Sequence, residues 1–420
     1  MARRAKWWRS LGPGLITGAA DDDPSGIASY SQAGAKYGFA LCWTLLLTYP
    51  LMVVIQTISA RIGRVTGRGI AGNLRQFYPN WILQGIVGLL FISNALNIGA
   101  DLGAMGAASK LLLPAIPVGV YVALFGALCV AGQMYFKHTQ YVAVLKWLTL
   151  ALFFYIVSLF VIDVPWMEVL KGLVWPKLSL DRKFWMMVVA ILGTTISPYL
   201  FFWQAAQEVE DTKATAGREP LKKRPEQGRS ELSRINLDTV IGMGFSNLVA
   251  LAIMITAAAT LHSRGVFDVT SAAQAAEALR PAGGQFASML FATGIVGTGL
   301  LSVPVLAGSA AYAVGEARRW PVGLARQPLQ AKAFYATIGV AVLLGAVANF
   351  TSLNPITALI WAAVVNGIVA VPVMALLMLM GANRKIMGRF QLTRPWKFWG
   401  WFATAVMGIA AIALIASGGG

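Results

Sequence analysis

The chain has 420 residues, 57% hydrophobic and 12% charged, with a mean hydropathy of +0.65 and a net charge of +17. Soluble domains carry about 25% charged and about 45–50% apolar residues, so both a soluble globule and a disordered chain are excluded. The two cysteines, Cys42 and Cys129, sit inside apolar runs and exclude a disulfide scaffold.

What remains is an all-α polytopic membrane protein. The opening MARRAKWWRS lacks a small-residue cleavage site after a short apolar run, so it reads as a cytoplasmic lead-in with an interfacial Trp7–Trp8 pair. A membrane-crossing helix needs roughly 20 apolar residues. Eleven such spans are predicted near 12–38, 41–60, 80–108, 114–133, 143–163, 184–207, 238–260, 286–315, 334–350, 355–381 and 397–417. The ninth is short, and the first, third and eighth are long enough to tilt or break. With a cytoplasmic N-terminus, 26 of the 34 basic residues fall in or beside cytoplasmic segments, which predicts a C-terminus outside. The positive-inside bias accounts for the charge, and no nucleic-acid partner is expected. The longest polar stretch, 208–236, reads as a mobile cytoplasmic linker, with Glu208, Glu210 and Asp211 as a solvated helix end.

Span one holds Asp21-Asp22-Asp23-Pro24-Ser25-Gly26 near its middle. Proline removes a backbone donor and pushes the preceding residue out of the helical region, so a break is predicted at Asp23, with Asp23 as N-cap and Pro24 in the first turn of a new helix. Span six repeats this at Ile196-Ser197-Pro198-Tyr199, with Ser197 as the predicted N-cap. The two breaks lie five spans apart. Two halves of five spans have opposite topology, and matching interrupted spans point to a transporter's midplane site.

The acids point the same way. Asp21, Asp22, Asp23 and Asp101 fall within spans. Each costs about 2.5–3.5 kcal/mol at the bilayer centre on insertion scales, which a hard cation or protonation would offset. Asp23 and Asp22 are the predicted metal ligands, with Asp21, Ser197, Gly26 and Tyr199 beside them. Asp101, Asn366, Gln204 and Gln207 are candidates for the pathway or for coupling, and Ser29, Tyr30 and Gln32 are further candidates to face the cavity. Structural readings stand beside these: Asp23 as a cap alone, Asp101 in the packing of Gly99 and Gly103, and Asn94, Asn97 and Asn366 as interhelical hydrogen bonds.

These residues resemble the NRAMP family of divalent-metal transporters. The likeness runs over most of the chain and includes Gly12-Pro13-Gly14, Asp23-Pro24, Gly99-Ala100-Asp101-Leu102, Ser197-Pro198 and Asn383-Arg384-Lys385-Ile386-Met387-Gly388. It implies a LeuT-like fold of two inverted five-helix repeats (1–165 and 184–381) plus an eleventh span (397–417), all in one transporter domain. The departures lie at the site. Where family members transporting manganese and iron carry Asp-Pro-Gly-Asn and Met-Pro-His, the Asn, Met and His positions are Gly26, Ser197 and Tyr199. The second acid of span three is Ala104, the later histidine of span six is Gln204, and Asp21 and Asp22 stand at positions usually uncharged.

Losing thioether sulfur and gaining carboxylates favours hard ions, and fewer direct ligands leave room for the waters Mg²⁺ retains. The chain therefore resembles the NRAMP-related branch associated with magnesium, and Mg²⁺ or Mn²⁺ is the expected cargo. No cofactor is expected. With the usual histidines absent, weak or absent proton coupling is expected. An inside-negative potential supplies about 4.6 kcal/mol per 100 mV to a divalent ion. The expected partners are the lipid bilayer and the ion, with a monomer in the plasma membrane sufficient for function. The alternatives are a non-metal solute carried on the same fold and a membrane-embedded Mg²⁺-dependent transferase. Against an enzyme, no acid flanks Ser197-Pro198, no nucleophile–base set is visible, and His138 and His262 are lone loop residues.

Overall fold

The computed structural model of the chain describes residues 13–135, 153–350 and 354–417. The first ten residues of the predicted fifth span, the Trp7–Trp8 lead-in, Gly12 and His138 lie outside the described residues. In chain order the helices are α1 (Pro13–Asp21), α2 (Pro24–Tyr37), α3 (Cys42–Thr66), α4 (Ile70–Phe77), α5 (Asn80–Leu112) and α6 (Val118–Tyr135). Then come α7 (Phe153–Val161), α8 (Trp166–Val174), α9 (Arg182–Thr195), α10 (Pro198–Ala214), α11 (Gly228–Thr260) and α12 (Ala272–Glu277). The last are α13 (Arg280–Gly283), α14 (Ala287–Arg318), α15 (Lys332–Ala348), α16 (Pro355–Ala382), α17 (Arg384–Met387) and α18 (Arg394–Ala416). Among the described residues 8 helical segments are long and apolar enough to cross a membrane, one of them running from Pro24 to Thr66 through a single 3₁₀ turn. The short α15 falls below that length, as the ninth span predicted.

Two predicted spans break and two do not. Helix α1 stops at Asp21 and α2 starts at Pro24, while α9 stops at Thr195 and α10 starts at Pro198. The third and eighth spans are unbroken as α5 and α14, even though α14 contains Pro304. The residue before each proline explains the contrast. Asp23 and Ser197 are N-cap types for which an extended backbone is favourable, whereas Val303 offers no side-chain oxygen to start a new helix.

Helix α1 lies along α11 in steps of four residues. The Gly14 N–H donates to Asp238 Oδ2 (2.7 Å), Gly18 packs backbone to backbone on Gly242, and Asp21 and Asp22 meet Ser246. Each helix thus offers one i, i+4, i+8 face to the other. The second break is seated reciprocally on the first half: Gln56 of α3 donates to the Leu200 carbonyl (2.9 Å), Ser59 donates to that of Phe201 (2.5 Å), and Gly63 packs on Ala205. Each broken span thus packs on the second span of the other half, the pattern a two-fold inverted repeat requires. Helices α5 and α14 lie against each other beside them.

The stretch 208–236 corrects the expectation of a mobile linker. Its ends are the last turns of α10 and the first turns of α11, and the chain between them is pinned where the Leu221 and Lys222 N–H groups donate to the Arg64 and Val65 carbonyls (3.2 Å each). Glu208 is fully buried and paired with Arg234, and Asp211 pairs with Arg218. The Arg64 side chain is also fully buried; its Nε donates to Glu231 Oε2 (3.2 Å), Nη1 to the Glu219 carbonyl (2.5 Å) and Nη2 to Gln227 Oε1 (3.0 Å). Pairing between helices is not readable from local composition, so these charges read as a solvated end. Arg64→Ala strips one member from a buried ionic network. It is expected to cost about 3 kcal/mol, read as a fall in melting temperature in detergent, and Arg64→Lys should not restore it because one ammonium cannot span three acceptors.

Gln32 lies away from the acids. Its amide nitrogen donates to Asp268 Oδ1 (3.1 Å), and its carbonyl accepts the Val269 N–H (2.7 Å). The Lys36 ammonium, hydrogen-bonded to Asp268 at 3.0 Å, holds that carboxyl below the usual carboxylate range, with Gln32 adding to the effect. A depressed folded-state value means stability that is present above the unfolded value of about 3.9 and lost as pH falls through the folded one. The Asp268 side chain is 64% exposed, so the contribution is small. The melting-temperature difference between wild type and Asp268→Asn should therefore be constant from pH 8 to about 5, begin to shrink near pH 4 and vanish only below the depressed folded-state value.

Candidate cation site at the helix breaks

Asp23 sits in extended backbone between α1 and α2, and is 1% exposed. Its Oδ1 accepts the Gly26 N–H (2.8 Å) and the Ser25 hydroxyl (2.6 Å), the N-cap arrangement expected of an Asp before a first-turn proline. Its Oδ2 faces the Tyr199 hydroxyl (3.3 Å) and the Asn97 amide nitrogen (3.5 Å). Tyr199 also lies 3.1 Å from the Ala20 carbonyl. In an unbroken helix that carbonyl would accept from residue 24, but Pro24 has no N–H. The second break thus supplies a donor for a carbonyl that the first break frees.

Ser197 corrects an expectation. It occupies the N-cap position of α10 but makes no side-chain cap; its hydroxyl turns back to the Gly193 and Thr194 carbonyls, 2.8 Å each. The Thr194 carbonyl has lost its helical partner to Pro198, and the nearby hydroxyl satisfies it. Gly26 contributes its N–H to Asp23 and no side-chain atom. A Cβ there would stand 3.0 Å from Thr194 Oγ1 and 3.2 Å from the Tyr30 ring, so glycine lets these groups close over the break.

The three consecutive acids part company. Ser246 Oγ lies 2.6 Å from Asp21 Oδ2 and 3.1 Å from Asp22 Oδ1, so these two turn to α11, whereas Asp23 turns to α5 and α10. Among the described residues no group of three His, Cys, Asp or Glu side chains is arranged to hold a metal. Asp101 is fully buried on α5, with Oδ2 accepting the Ser302 hydroxyl (2.9 Å) and Oδ1 unpartnered among the described residues. Gly99 and Gly103 serve packing as expected: Gly99 meets Gly345 of α15, and Asn349 donates to the Gly99 carbonyl (2.7 Å).

The other pathway candidates bond elsewhere. Asn366 accepts the Ser93 hydroxyl (2.6 Å), and Gln204 donates to Thr239 (3.0 Å), both interhelical bonds that do not involve the four acids. The Gln207 amide nitrogen has no partner among the described residues. Asn94 makes the predicted interhelical bonds, to the Leu306 carbonyl and Ser309. Asn97 also bonds between elements, and its partner is Asp23 at the N-cap of α2 (3.5 Å). Sequence reasoning missed Ser246 and Ser302, which have no local signal, and read Asn97 as an interhelical hydrogen bond without placing it at Asp23, although it precedes Asp101 by one helical turn.

The natural resistance-associated macrophage protein-like family matches residues 14–417. The chain belongs to the NRAMP family. It is 30% identical over 303 residues to the divalent metal cation transporter MntH of Ralstonia nicotianae, covering 70% of this chain and 66% of that one. It is 27% identical over 433 aligned residues to MntH of Acidiphilium cryptum, covering 99% and 89%. The crystal structure of an Eremococcus coleocola manganese transporter, in complex with an aromatic bis-isothiourea substituted compound, superposes with a TM-score of 0.75 at 18% identity, covering 98% and 88%. That likeness is one of fold: this NRAMP protein has the LeuT-like arrangement of two inverted five-helix repeats with an added eleventh span.

Proposed function

We propose that this NRAMP protein carries a divalent metal cation across the membrane by alternating access, holding the ion at Asp23 between its two helix breaks. It is a transporter rather than an enzyme, and the metal is cargo, not a cofactor. The observation that carries the reading is Asp23 itself, a buried carboxylate with one oxygen spent on its own helix cap and the other turned to Tyr199 and Asn97. A buried carboxylate with no ion-pair partner among the described residues needs a cation or a proton.

The donor set favours a hard ion, Mg²⁺ or Mn²⁺. Ser197 stands at the family's thioether position, and its hydroxyl is occupied by helix carbonyls. Asp22 and Asp21 add negative charge beside the site. Proton coupling is weak or absent, because Tyr199, Ala104 and Gln204 replace the family's usual titratable groups and the membrane potential alone can drive uptake. The excess of basic residues on one side supports a plasma-membrane orientation with N-terminus cytoplasmic and C-terminus outside. Each chain carries its own site, so a monomer in the bilayer suffices, with repeats over about 1–165 and 184–381.

The test is uptake into proteoliposomes at a fixed inside-negative potential, offering Mg²⁺, Ca²⁺ and Mn²⁺ separately while internal pH is followed. Saturable uptake of Mg²⁺ or Mn²⁺ without internal acidification is the expected result. Metal-dependent acidification would overturn the coupling statement, and no flux of any metal would turn the reading to a non-metal solute on the same fold.

A further inference from the structure

We propose that Asn97 is a direct ligand of the transported ion, its amide oxygen joining Asp23 and Asp101 to form a three-side-chain oxygen site at the start of α2. This deepens the reading of Asp23 as the ion-binding carboxylate and rests on it. Asn97 and Asp101 are one turn apart on α5, so both lie on the face turned to α2. Asn97 is fully buried and Asp101 is fully buried. Each has a side-chain oxygen, Asn97 Oδ1 and Asp101 Oδ1, with no hydrogen-bond partner among the described residues. Buried acceptors are normally satisfied, so two orphaned oxygens on neighbouring turns of the helix that faces Asp23 point to a missing electropositive partner.

The spacing fits a metal. Asn97 Nδ2 stands 3.5 Å from Asp23 Oδ2, too long for a strong hydrogen bond. Nitrogen and oxygen of an amide have the same shape, and a half-turn of the amide plane puts Oδ1 where Nδ2 stands. Adjacent oxygens of an octahedral ion are about 3.0 Å apart for Mg²⁺ and about 3.4 Å for a Ca²⁺-sized ion, from metal–oxygen distances of about 2.1 and 2.4 Å. A small closure therefore lets Asp23 and Asn97 share one edge of the coordination shell. Asp101 carries the second negative charge near this edge, and two carboxylates balance a divalent ion. A neutral amide as third ligand leaves that balance intact. Asn94, one turn earlier, is held by two short bonds of 2.8 Å and is not free to turn in this way.

The experiment compares Mg²⁺ and Mn²⁺ uptake by the reconstituted full chain for wild type, Asn97→Leu, Asn97→Asp and Asp23→Asn, with metal-induced rises in melting temperature measured in detergent. Asn97→Leu keeps the volume and removes the oxygen. It is expected to raise the half-saturating concentration by about tenfold or more and to shrink the metal-induced melting shift, while Asn97→Asp, which restores an oxygen, recovers both. A packing role predicts a lower metal-free melting temperature with the half-saturating concentration unchanged. Wild-type half-saturation in Asn97→Leu, with Asp23→Asn inactive, would overturn the role of Asn97 and leave that of Asp23 standing. Full uptake by Asp23→Asn would instead remove the reading on which this one rests. Should Asn97→Leu fail to fold, Asn97→Ala carries the same comparison against Asn97→Asp.

Discussion

Asp23→Asn is expected to abolish saturable divalent-metal uptake while leaving the protein folded. The two functions of Asp23 reside on different oxygens. Oδ1 caps α2 by accepting the Gly26 N–H, and asparagine caps a helix as well as aspartate does, so the break and the α2 start are retained. The substitution removes the charge available to an ion at Oδ2. Taking one partner from a buried charged pair costs about 3–5 kcal/mol, which corresponds to roughly a hundredfold to several thousandfold in affinity. Asp23→Ala loses the charge and the cap together, adding about 1 kcal/mol of destabilisation, so asparagine is the informative variant. The check is uptake in proteoliposomes at fixed potential, alongside the melting temperature of the same preparation. Asp21→Ala/Asp22→Ala is expected to raise the half-saturating concentration without abolishing uptake, because those side chains turn to Ser246. Saturable uptake at the wild-type rate in Asp23→Asn would remove Asp23 from the site.

Both breaks were legible because proline acts on its immediate neighbours. Asp23-Pro24 and Ser197-Pro198 dictate where a helix stops, and the structure has them there. What each N-cap side chain does was only half legible. Asp23 can only accept when ionised and finds the Gly26 N–H, but the Ser197 hydroxyl can also donate, and two carbonyls freed near the break claim it. The parting of Asp21 and Asp22 from Asp23 was not legible. Between helices the 3.6-residue period no longer sets side-chain direction, so consecutive acids read as one cluster. The buried network of Arg64, Glu208, Glu231 and Arg234 was hidden for a related reason: its partners come from α3, α10 and α11, and composition alone makes each a surface charge. The four-residue spacing of Asn97 and Asp101 was a usable signal. It gained meaning only once α5 was seen to face the first break.

Gly193→Ala should destabilise the protein strongly, whereas Gly339→Ala should leave it unchanged or slightly more stable. Both glycines are helical, and alanine is the better helix former by about 0.8–1.0 kcal/mol, so local propensity predicts a gain at each. Position decides the sign. On α15, a Cβ at residue 339 meets nothing within 4 Å. On α9, a Cβ at residue 193 runs into the Ala363 carbonyl and the Gly367 amide of α16, backbone against backbone, where no rotamer change can make room. Small residues permit such close helix approach in membranes, and overpacking a tight interface costs about 1–3 kcal/mol. Separating α9 from α16 also moves Thr194 and Ser197, and with them Tyr199 against Ala20 and Asp23. The expected result for Gly193→Ala is therefore a lower melting temperature in detergent together with a loss of metal uptake in the fraction that still folds. A wild-type melting temperature in Gly193→Ala would show that the two backbones can part freely, and the second break would then not be held by α16.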